Sequence, residues 1–385
     1  MLTTTSQFSV DVSFITIERI GNVEEFERLQ EEWNELLEAS DVDCSFLTWE
    51  WLFTWWKHLG GKRDLSIFAV RYGRQLIALA PFAKCPSNLL RGRPFSTLEF
   101  LGNGLVGSDY LDFIVRRGCE AKAKEAFVGL FAGKHLMLDW TQLKRSGCMA
   151  ASIAIGLGEK GWAVAEARTN TCPFIPLAGH TWESYLATLG SQHRQSFRRK
   201  WKRLQQNFAV RFEQVTTEEQ YPGAVNLFIK LHNMRWRDRG GSNAFSTEAL
   251  AEFHREWAEL ALRRGWLRLY ILRLNEKPAA SLYGFCYRRT FYFYQSGFDP
   301  AFASYGVGLV TMGLAIKSAI EESAEEYDLL HGNEQYKSHW SRHSRDLGRF
   351  ELYPPGDLGR LWRLSVELGR SSQRMVGRLL ARVTA

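Results

Sequence analysis

Residues 294–310, YQSGFDPAFASYGVGLV, are the stretch of sequence that decides the fold. They run from a predicted strand through a turn into Gly306-x-Gly308 and the start of a predicted helix. Glycines let backbone N–H groups approach an anion closely, and the N-terminus of the new helix adds a partial positive charge. A tight strand-to-helix turn is the simpler interpretation of one Gly-x-Gly, so the surrounding elements must decide between the two.

The elements around this loop narrow the interpretation. Predicted strands at 266–274, 279–288 and 291–298 precede the loop, a predicted helix covers 307–322, and a short strand at 327–330 follows. A Walker loop needs Lys-Ser/Thr after its glycines, and a dinucleotide fingerprint needs a βαβ unit. Neither fits. The order of elements predicts an α+β domain with a mostly antiparallel sheet flanked by helices.

This arrangement resembles the GNAT superfamily of acyltransferases, whose pyrophosphate-binding loop reads Gln/Arg-x-x-Gly-x-Gly/Ala. Gly306 and Gly308 match that pattern, whereas Ala303 stands at its leading position. The runs Phe298–Pro300 and Tyr327–Trp340 are similar to the CelD/BcsL acetyltransferase branch, which is associated with bacterial cellulose and other exopolysaccharides. The resemblance implies that an acyl-CoA is bound at Ser304, Tyr305, Gly306, Val307, Gly308 and Leu309.

Candidate catalytic residues follow the strand at 327–330, where this resemblance places the acceptor pocket. An amine must lose a proton before it attacks a thioester, and the departing thiolate must gain one. Glu334 and His331 are the candidate bases, and Tyr336 is the candidate proton donor. Glu334 also suits the first turn of a short helix, where the helix dipole stabilises an acid.

Two basic residues are candidates for substrate binding. Lys337 follows the candidate bases, and Arg198 lies in the run HRQSFRRKWKR at 193–203, which carries six positive charges and no acid. Both also fit a solvated surface. His339 and His343 stand four apart, but no carboxylate or cysteine completes a ligand set at the usual spacing, so no metal is predicted.

The 385 residues are enough for two cores, and the first half repeats the element order of the second in outline. LGNG at 101–104 follows a strand but opens no helix, so the first half is predicted to be non-catalytic. The prediction is therefore two tandem GNAT-like domains. The predicted segments are a disordered N-terminus at 1–13, an N-terminal GNAT-like domain at 14–175, a C-terminal GNAT acyltransferase domain at 180–355, and a basic amphipathic helix or tail at 357–385.

The formal net charge of +7 is concentrated at two places, the run at 193–203 and the tail. The tail contains six arginines and two acids, Asp357 and Glu367. Such local charge argues against a general nucleic-acid-binding protein. The sequence shows no secretory signal and no membrane span, and its six cysteines include no CxxC pair. These features predict a cytoplasmic protein, with peripheral contact at the inner face of the membrane through the tail left as an alternative.

The leading functional hypothesis is an acyl-CoA-dependent N-acyltransferase acting on a small-molecule or saccharide amine, such as an amino sugar of an exopolysaccharide or cellulose pathway. One alternative is a FemAB-like transferase that uses aminoacyl-tRNA, the single case in which a nucleic acid is a partner. Another is a non-catalytic GNAT scaffold of a polysaccharide synthesis complex. The glycine loop favours CoA, because FemAB-like proteins do not need a CoA pyrophosphate loop.

Overall fold

The computed structural model describes residues 14–42, 44–87, 94–237, 241–242, 244–332 and 334–367. The predicted disordered segment at 1–13 and the tail beyond 367 lie outside the described residues. The helices are α1 Val23–Arg28, α2 Gln30–Glu38, α3 Trp49–Leu59, α4 Glu120–Ala132, α5 Met149–Glu159, α6 Trp182–Thr188, α7 Ser191–Asn207, α8 Tyr221–Trp236, α9 Glu248–Arg263, α10 Val307–Glu321 and α11 Gln335–Trp340. Within the described parts of the chain, none of the helices combines the length and apolarity that a bilayer crossing needs.

The strands are β1 Ile15–Ile20, β2 Asp64–Tyr72, β3 Gln75–Cys85, β4 Thr97–Phe100, β5 Ile114–Val115, β6 Met137–Lys144, β7 Ala163–Pro176, β8 Val210–Gln214, β9 Leu267–Leu274, β10 Lys277–Tyr287, β11 Thr290–Phe298, β12 Glu326–Asp328 and β13 His343–Tyr353. In the described residues they form one 13-stranded sheet, in the order β1-β2-β3-β4-β6-β13-β7-β12-β11-β10-β9-β8, with β5 beside β3. The predicted fold class, mixed sheet flanked by helices, is confirmed.

Two strands are exchanged between the halves of the chain. The end of β7, which closes the first half, pairs antiparallel with β12 of the second half. In return β13, the last strand of the second half, pairs antiparallel with β6 of the first half and with β7. The two predicted sheets are therefore continuous. The division at residues 175–180 stays a prediction, and the strand β7 that ends there belongs to the sheet of both halves.

The second half of the sheet is sandwiched between helices. Strand β10 is buried along almost its whole length, as expected for a strand covered on both faces. Phe291 and Phe293 of β11 pack with Met312 of α10 on one face. Tyr292 belongs to the cluster that contains Trp257 of α9 on the other face. Alternate residues of β11 thus face opposite layers, which fixes the register of the strand on which the site is built.

Candidate active site

The parallel pair β11 and β12 separates part of the way along. Residues Thr290, Phe291 and Tyr292 pair with β12, and β11 then continues to Phe298 with no partner on that side among the described residues. The chain leaves β12 after Asp328. The two strands therefore diverge in the shape of a V beyond Tyr292 and Asp328. Two cavities lie at this open end of the pair.

The glycine loop lies at the open end of β11. Asp299 caps a 3₁₀ turn at Pro300–Tyr305, and Gly306 follows with φ 72°, a left-handed conformation that favours glycine. Gly306 caps α10, and among the described residues no side chain accepts from the first turn of that helix. The amides of Val307, Gly308 and Leu309 have no partner within an α-helix. They are the donors that the loop offers to an anion.

The loop differs from the sequence prediction in detail. The Gly306 amide donates to the Ala303 carbonyl oxygen at 2.9 Å, so it is already used within the protein. Ser304 and Tyr305 belong to the 3₁₀ turn, and the Tyr305 ring lies 4.6 Å from the Arg203 guanidinium. Of the six predicted cofactor-binding residues, Gly308 and Leu309 line the adjoining cleft.

Lys200 of α7 lies against this turn. A Cβ atom at Gly306 would be 2.9 Å from Lys200 Nζ, so the ammonium group sits beside the N-terminus of α10. The N-terminus of a helix carries a partial positive charge, and a second positive charge beside it raises the energy of the empty site. A bound anion relieves that repulsion. The arrangement is therefore suited to a phosphate group.

The cleft beside the loop has a volume of about 650 Å³. Arg235 at the end of α8 adds a second cation to it, donating to the Ser296 hydroxyl at 2.6 Å and lying 5.5 Å from the Phe298 ring and 5.8 Å from the Tyr336 ring. We call this cavity the donor cleft. It is lined by Gln192, His193, Ser196, Lys200, Arg235, Ser296, Phe298, Gly308, Leu309, Met312, Tyr336, His339 and Trp340.

A second cavity of about 280 Å³ lies at the other side of Tyr336, and both halves of the chain contribute to it. Leu105, Val106 and Gly107 come from the first half. We call it the acceptor cavity. The second half supplies Ser242, Ala244, Phe293, Tyr294, Gln295, Leu329, Leu330, His331, Gly332, Glu334, Tyr336 and Lys337.

His331 in the acceptor cavity is held by a carboxylate from the first half. His331 Nδ1 lies 2.7 Å from Oδ1 of the buried Asp109, and the His331 amide donates to the other oxygen of Asp109 at 2.8 Å. Burial lowers the pKa of His331, but the hydrogen bond and charge of Asp109 outweigh it, and the pKa is raised above 6.5. Nε2 is the ring nitrogen left to take a proton from the cavity.

Glu334 and Lys337 form a pair that supports the loop before α11. The buried Lys337 ammonium donates to the carbonyl oxygens of His331 at 2.7 Å and Leu330 at 3.3 Å, and it lies 3.0 Å from Glu334 Oε2. Glu334 is the N-cap of α11 by position, which matches the alternative interpretation of this residue. Lys337 thus differs from the expectation that it binds an acceptor, because its three N–H groups already have acceptors.

Tyr336 is the residue shared by the donor cleft and the acceptor cavity. Burial raises its pKa well above the usual value, so the hydroxyl keeps its proton at neutral pH. Its ring lies 6.5 Å from the Phe293 ring. A protonated hydroxyl between the two cavities is in a position to donate to a group that passes from one to the other.

Asp328, at the end of β12, is a buried carboxylate beside these groups. Burial raises its pKa to about 7, although Arg345 and the Tyr110 hydroxyl act in the opposite direction. The Tyr110 hydroxyl and the Leu330 amide both donate to it at 2.7 Å. Asp328 does not line the acceptor cavity, so its hydrogen bonds act on the structure at the end of β12.

The remaining predicted residue, Arg198, lies away from both cavities. Its guanidinium pairs with Glu183 at 2.6 Å on the surface. Substrate binding by Arg198 stays a prediction, although on the basic helix α7 it is Lys200 that lines the donor cleft. The helical period explains the difference, because residues two apart face different directions. Across the described residues, no group of three His, Cys, Asp or Glu is placed to hold a metal ion.

Three residues of the site were missed at the level of sequence: Asp109, Lys200 and Arg235. Asp109 is separated from His331 by 222 positions, and only the tertiary fold brings them together. The signal that was present is the position of Asp109 directly before the mostly apolar run Tyr110–Val115. A carboxylate beside a buried segment needs a hydrogen-bonding or charged partner. The sequence therefore indicates that such a partner exists but does not identify it.

Residues 191–338 match the profile of a family described as an acetyltransferase (GNAT) domain. No curated protein sequence matches the chain significantly.

Among solved structures, the chain is similar to FemX, with 12% identity and a TM-score of 0.59 over 84% of this chain and 95% of FemX. It is also similar to a conserved protein of unknown function from Bacteroides thetaiotaomicron, with 14% identity and a TM-score of 0.52 over 88% of this chain and 99% of that one. At these identities the likeness shows the fold alone. The CelD/BcsL branch stays a prediction.

Proposed function

We propose that the protein is an acyl-CoA-dependent N-acyltransferase. The observation that carries the proposal is the N-terminus of α10, which opens on the donor cleft with Lys200 beside it. Acyl-CoA has a diphosphate that needs amide donors and cations, and a thioester that supplies the activated acyl group. The amides of Val307, Gly308 and Leu309 would hold the diphosphate, together with Lys200 and Arg235.

His331 acts as the general base in this proposal. The acceptor enters the acceptor cavity as an ammonium and passes one proton to His331 Nε2, which frees the lone pair of its nitrogen. Asp109 holds the ring through Nδ1 and stabilises the imidazolium that forms. His331 is 34% exposed, so it is reachable from the cavity, whereas Asp109 is fully buried. The nitrogen lone pair then attacks the thioester carbonyl carbon, and the bond from that carbon to sulfur breaks.

Tyr336 supplies the proton that the departing sulfur needs, and its phenolate takes up the second proton that the nitrogen loses as the tetrahedral intermediate collapses. Its raised pKa keeps the hydroxyl protonated at neutral pH, and it lines both cavities. The transfer gives an N-acylated product and the CoA thiol. Glu334 is a weaker candidate for the base, because its carboxylate already pairs with the buried Lys337.

The acceptor cavity favours a compact polar amine. Its volume of about 280 Å³ and its polar groups, including Ser242, Gln295 and His331, suit a small amine or one sugar residue. An amino sugar of an exopolysaccharide or cellulose pathway remains the proposed acceptor, and it rests on the sequence resemblance. An acetyl group is the proposed acyl group on the same ground.

The proposal is tested by following release of the CoA thiol from acetyl-CoA with a panel of amines that includes glucosamine and galactosamine. Thiol release that depends on the amine, and that is lost in His331→Gln, supports it. Consumption of aminoacyl-tRNA without use of acyl-CoA would establish the FemAB-like alternative instead. Binding of acetyl-CoA with no turnover across a broad panel would favour the scaffold.

A further inference from the structure

The segment at 357–367 is helical and carries an apolar stripe on its outer side. Leu358, Leu361 and Leu364 are 72%, 59% and 54% exposed, on successive turns. Residues at this spacing share one face of a helix. Isolated exposed leucines are ordinary, but three on one stripe form a continuous apolar face that water must cover.

The opposite side of the same helix lies against Pro354, in the segment that leads into the helix. Gly359 is buried, and a Cβ atom there would collide with the Pro354 carbonyl group. Trp362, three residues on, is partly buried on the same side. The Arg363 guanidinium pairs with Glu367 at 2.8 Å across one turn. The helix is therefore anchored with its leucine stripe turned outward.

Charge in the chain identifies the kind of partner that suits this stripe. Residues 368–385 contain Arg370, Arg374, Arg378 and Arg382 and no acidic residue. Leu368, Met375 and Leu379 continue the apolar spacing of the stripe in the sequence. An apolar stripe that is followed in the sequence by four arginines and no acid is complementary to a surface that is apolar inside and anionic outside, which is an anionic phospholipid bilayer.

We infer that the leucine stripe at 357–367 docks the protein on an anionic phospholipid surface. The leucines insert at the boundary between headgroups and acyl chains, and the arginines beyond residue 367 contact the lipid phosphates. Neither contact involves the donor cleft or the acceptor cavity. The inference is therefore independent of the proposed catalytic activity.

Sedimentation of the full-length protein with vesicles tests the inference. Vesicles of phosphatidylglycerol and phosphatidylcholine in equal parts are expected to bind the protein, and binding should weaken as salt is raised. Pure phosphatidylcholine vesicles should bind it at least about tenfold less. The triple variant Leu358→Gln/Leu361→Gln/Leu364→Gln should lower binding to the anionic vesicles at least about tenfold, because it removes the apolar contact.

Controls separate the stripe from general apolarity and from charge. Ile155 is 62% exposed on α5, so Ile155→Gln removes a comparable apolar side chain elsewhere and should leave vesicle binding unchanged. Changing the four arginines from 370 to 382 to glutamine should also reduce binding. Equal binding by the wild type and the leucine variant would overturn the inference. So would a wild-type dimer in light scattering that the leucine variant abolishes, with no vesicle binding by either protein.

Discussion

Helices α4 and α10 occupy equivalent positions in the two halves, each between a pair of parallel strands that separates. Their N-termini differ. In the first half the Glu120 carboxylate accepts from the Gly118 amide at 2.9 Å, so an acid of the chain itself already lies at the start of α4. In the second half the start of α10 has no such acid, and Lys200 lies beside it.

The spaces between the parallel strands differ in the same way. In the first half the Leu111 amide donates to the Gln142 carbonyl oxygen of β6 at 3.1 Å, and Phe100 and Phe113 pack against Trp140 of β6. Side chains therefore fill the space beside β6 in the first half. The second half leaves a cleft of about 650 Å³. The same arrangement of strands is thus filled in the first half and open in the second half. The segment around Leu111 that fills the first half also places Asp109 beside His331 of the second half.

The largest expected effect is the loss of kcat when the proposed general base, His331, is replaced. His331→Gln should lower kcat about 10²- to 10³-fold with little change in the KM for acyl-CoA, because proton removal is lost while the donor cleft is intact. Steady-state kinetics of thiol release measure this. A variant that keeps more than half of the wild-type kcat would remove His331 from the mechanism.

The next effect tests the contribution of the first half. Asp109→Asn should lower kcat about 10- to 100-fold, because the ring loses its orienting carboxylate. Asp109 raises the pKa of His331, so without that charge burial should lower it, and the remaining activity should rise at lower pH than in the wild type. If the pH profile of kcat is the same in Asp109→Asn and in the wild type, Asp109 stabilises the fold and does not set the pKa of His331.

A smaller effect is expected at the cation beside the glycine loop. Lys200→Gln should raise the KM for acyl-CoA about tenfold and leave kcat nearly unchanged, because a charge-assisted phosphate contact is lost. Arg198→Gln is the matched control on the same helix, since Arg198 pairs with Glu183 outside the cleft. Equal KM values in the two variants would count against a diphosphate at this turn.

The smallest effect is expected at the other candidate base. Glu334→Gln should change kcat less than about twofold and leave the pH profile in place, because the exposed carboxylate contributes mainly an ion pair with Lys337. The amide oxygen of glutamine can still accept from that lysine. A large loss of kcat with a shifted pH profile would return Glu334 to the role of base.

Local patterns predicted the elements well. The helix predicted over 307–322 is found as α10, Val307–Glu321, and the strands β9, β10 and β11 lie within a few residues of their predicted bounds. Hydrophobic periodicity and turn-forming residues act over short stretches of chain, so the positions of helices and strands can be inferred from the local sequence. The glycine loop was found for the same reason, because its elements are contiguous.

Long-range pairing could not be predicted in this way. The exchange of β7 and β13 joins strands from different halves, and no local pattern encodes which distant strand is the neighbour. The same limit explains Asp109. Its partner His331 lies 222 positions away, although the histidine itself was identified as a candidate. The glycine loop could therefore be located from the sequence, whereas Lys200 and Arg235 of the donor cleft and the Asp109 partner of His331 could not.

The central claim is that the N-terminus of α10 binds the diphosphate of an acyl-CoA. Gly308→Asp tests it without disturbing the fold, because a Cβ atom there would lie 3.4 Å from the Phe298 ring, an acid suits the first turn of a helix, and Gly308 has no positive φ. Gly223→Asp, in the first turn of α8 with open space around it, is the matched control.

Calorimetric titration with acetyl-CoA is the direct measurement. The claim predicts sub-millimolar binding by the wild type and by Gly223→Asp, and a Kd at least about tenfold weaker for Gly308→Asp, because the new carboxylate repels the phosphates. Absence of acetyl-CoA binding by the folded wild-type protein, or equal affinity in Gly308→Asp, would contradict it.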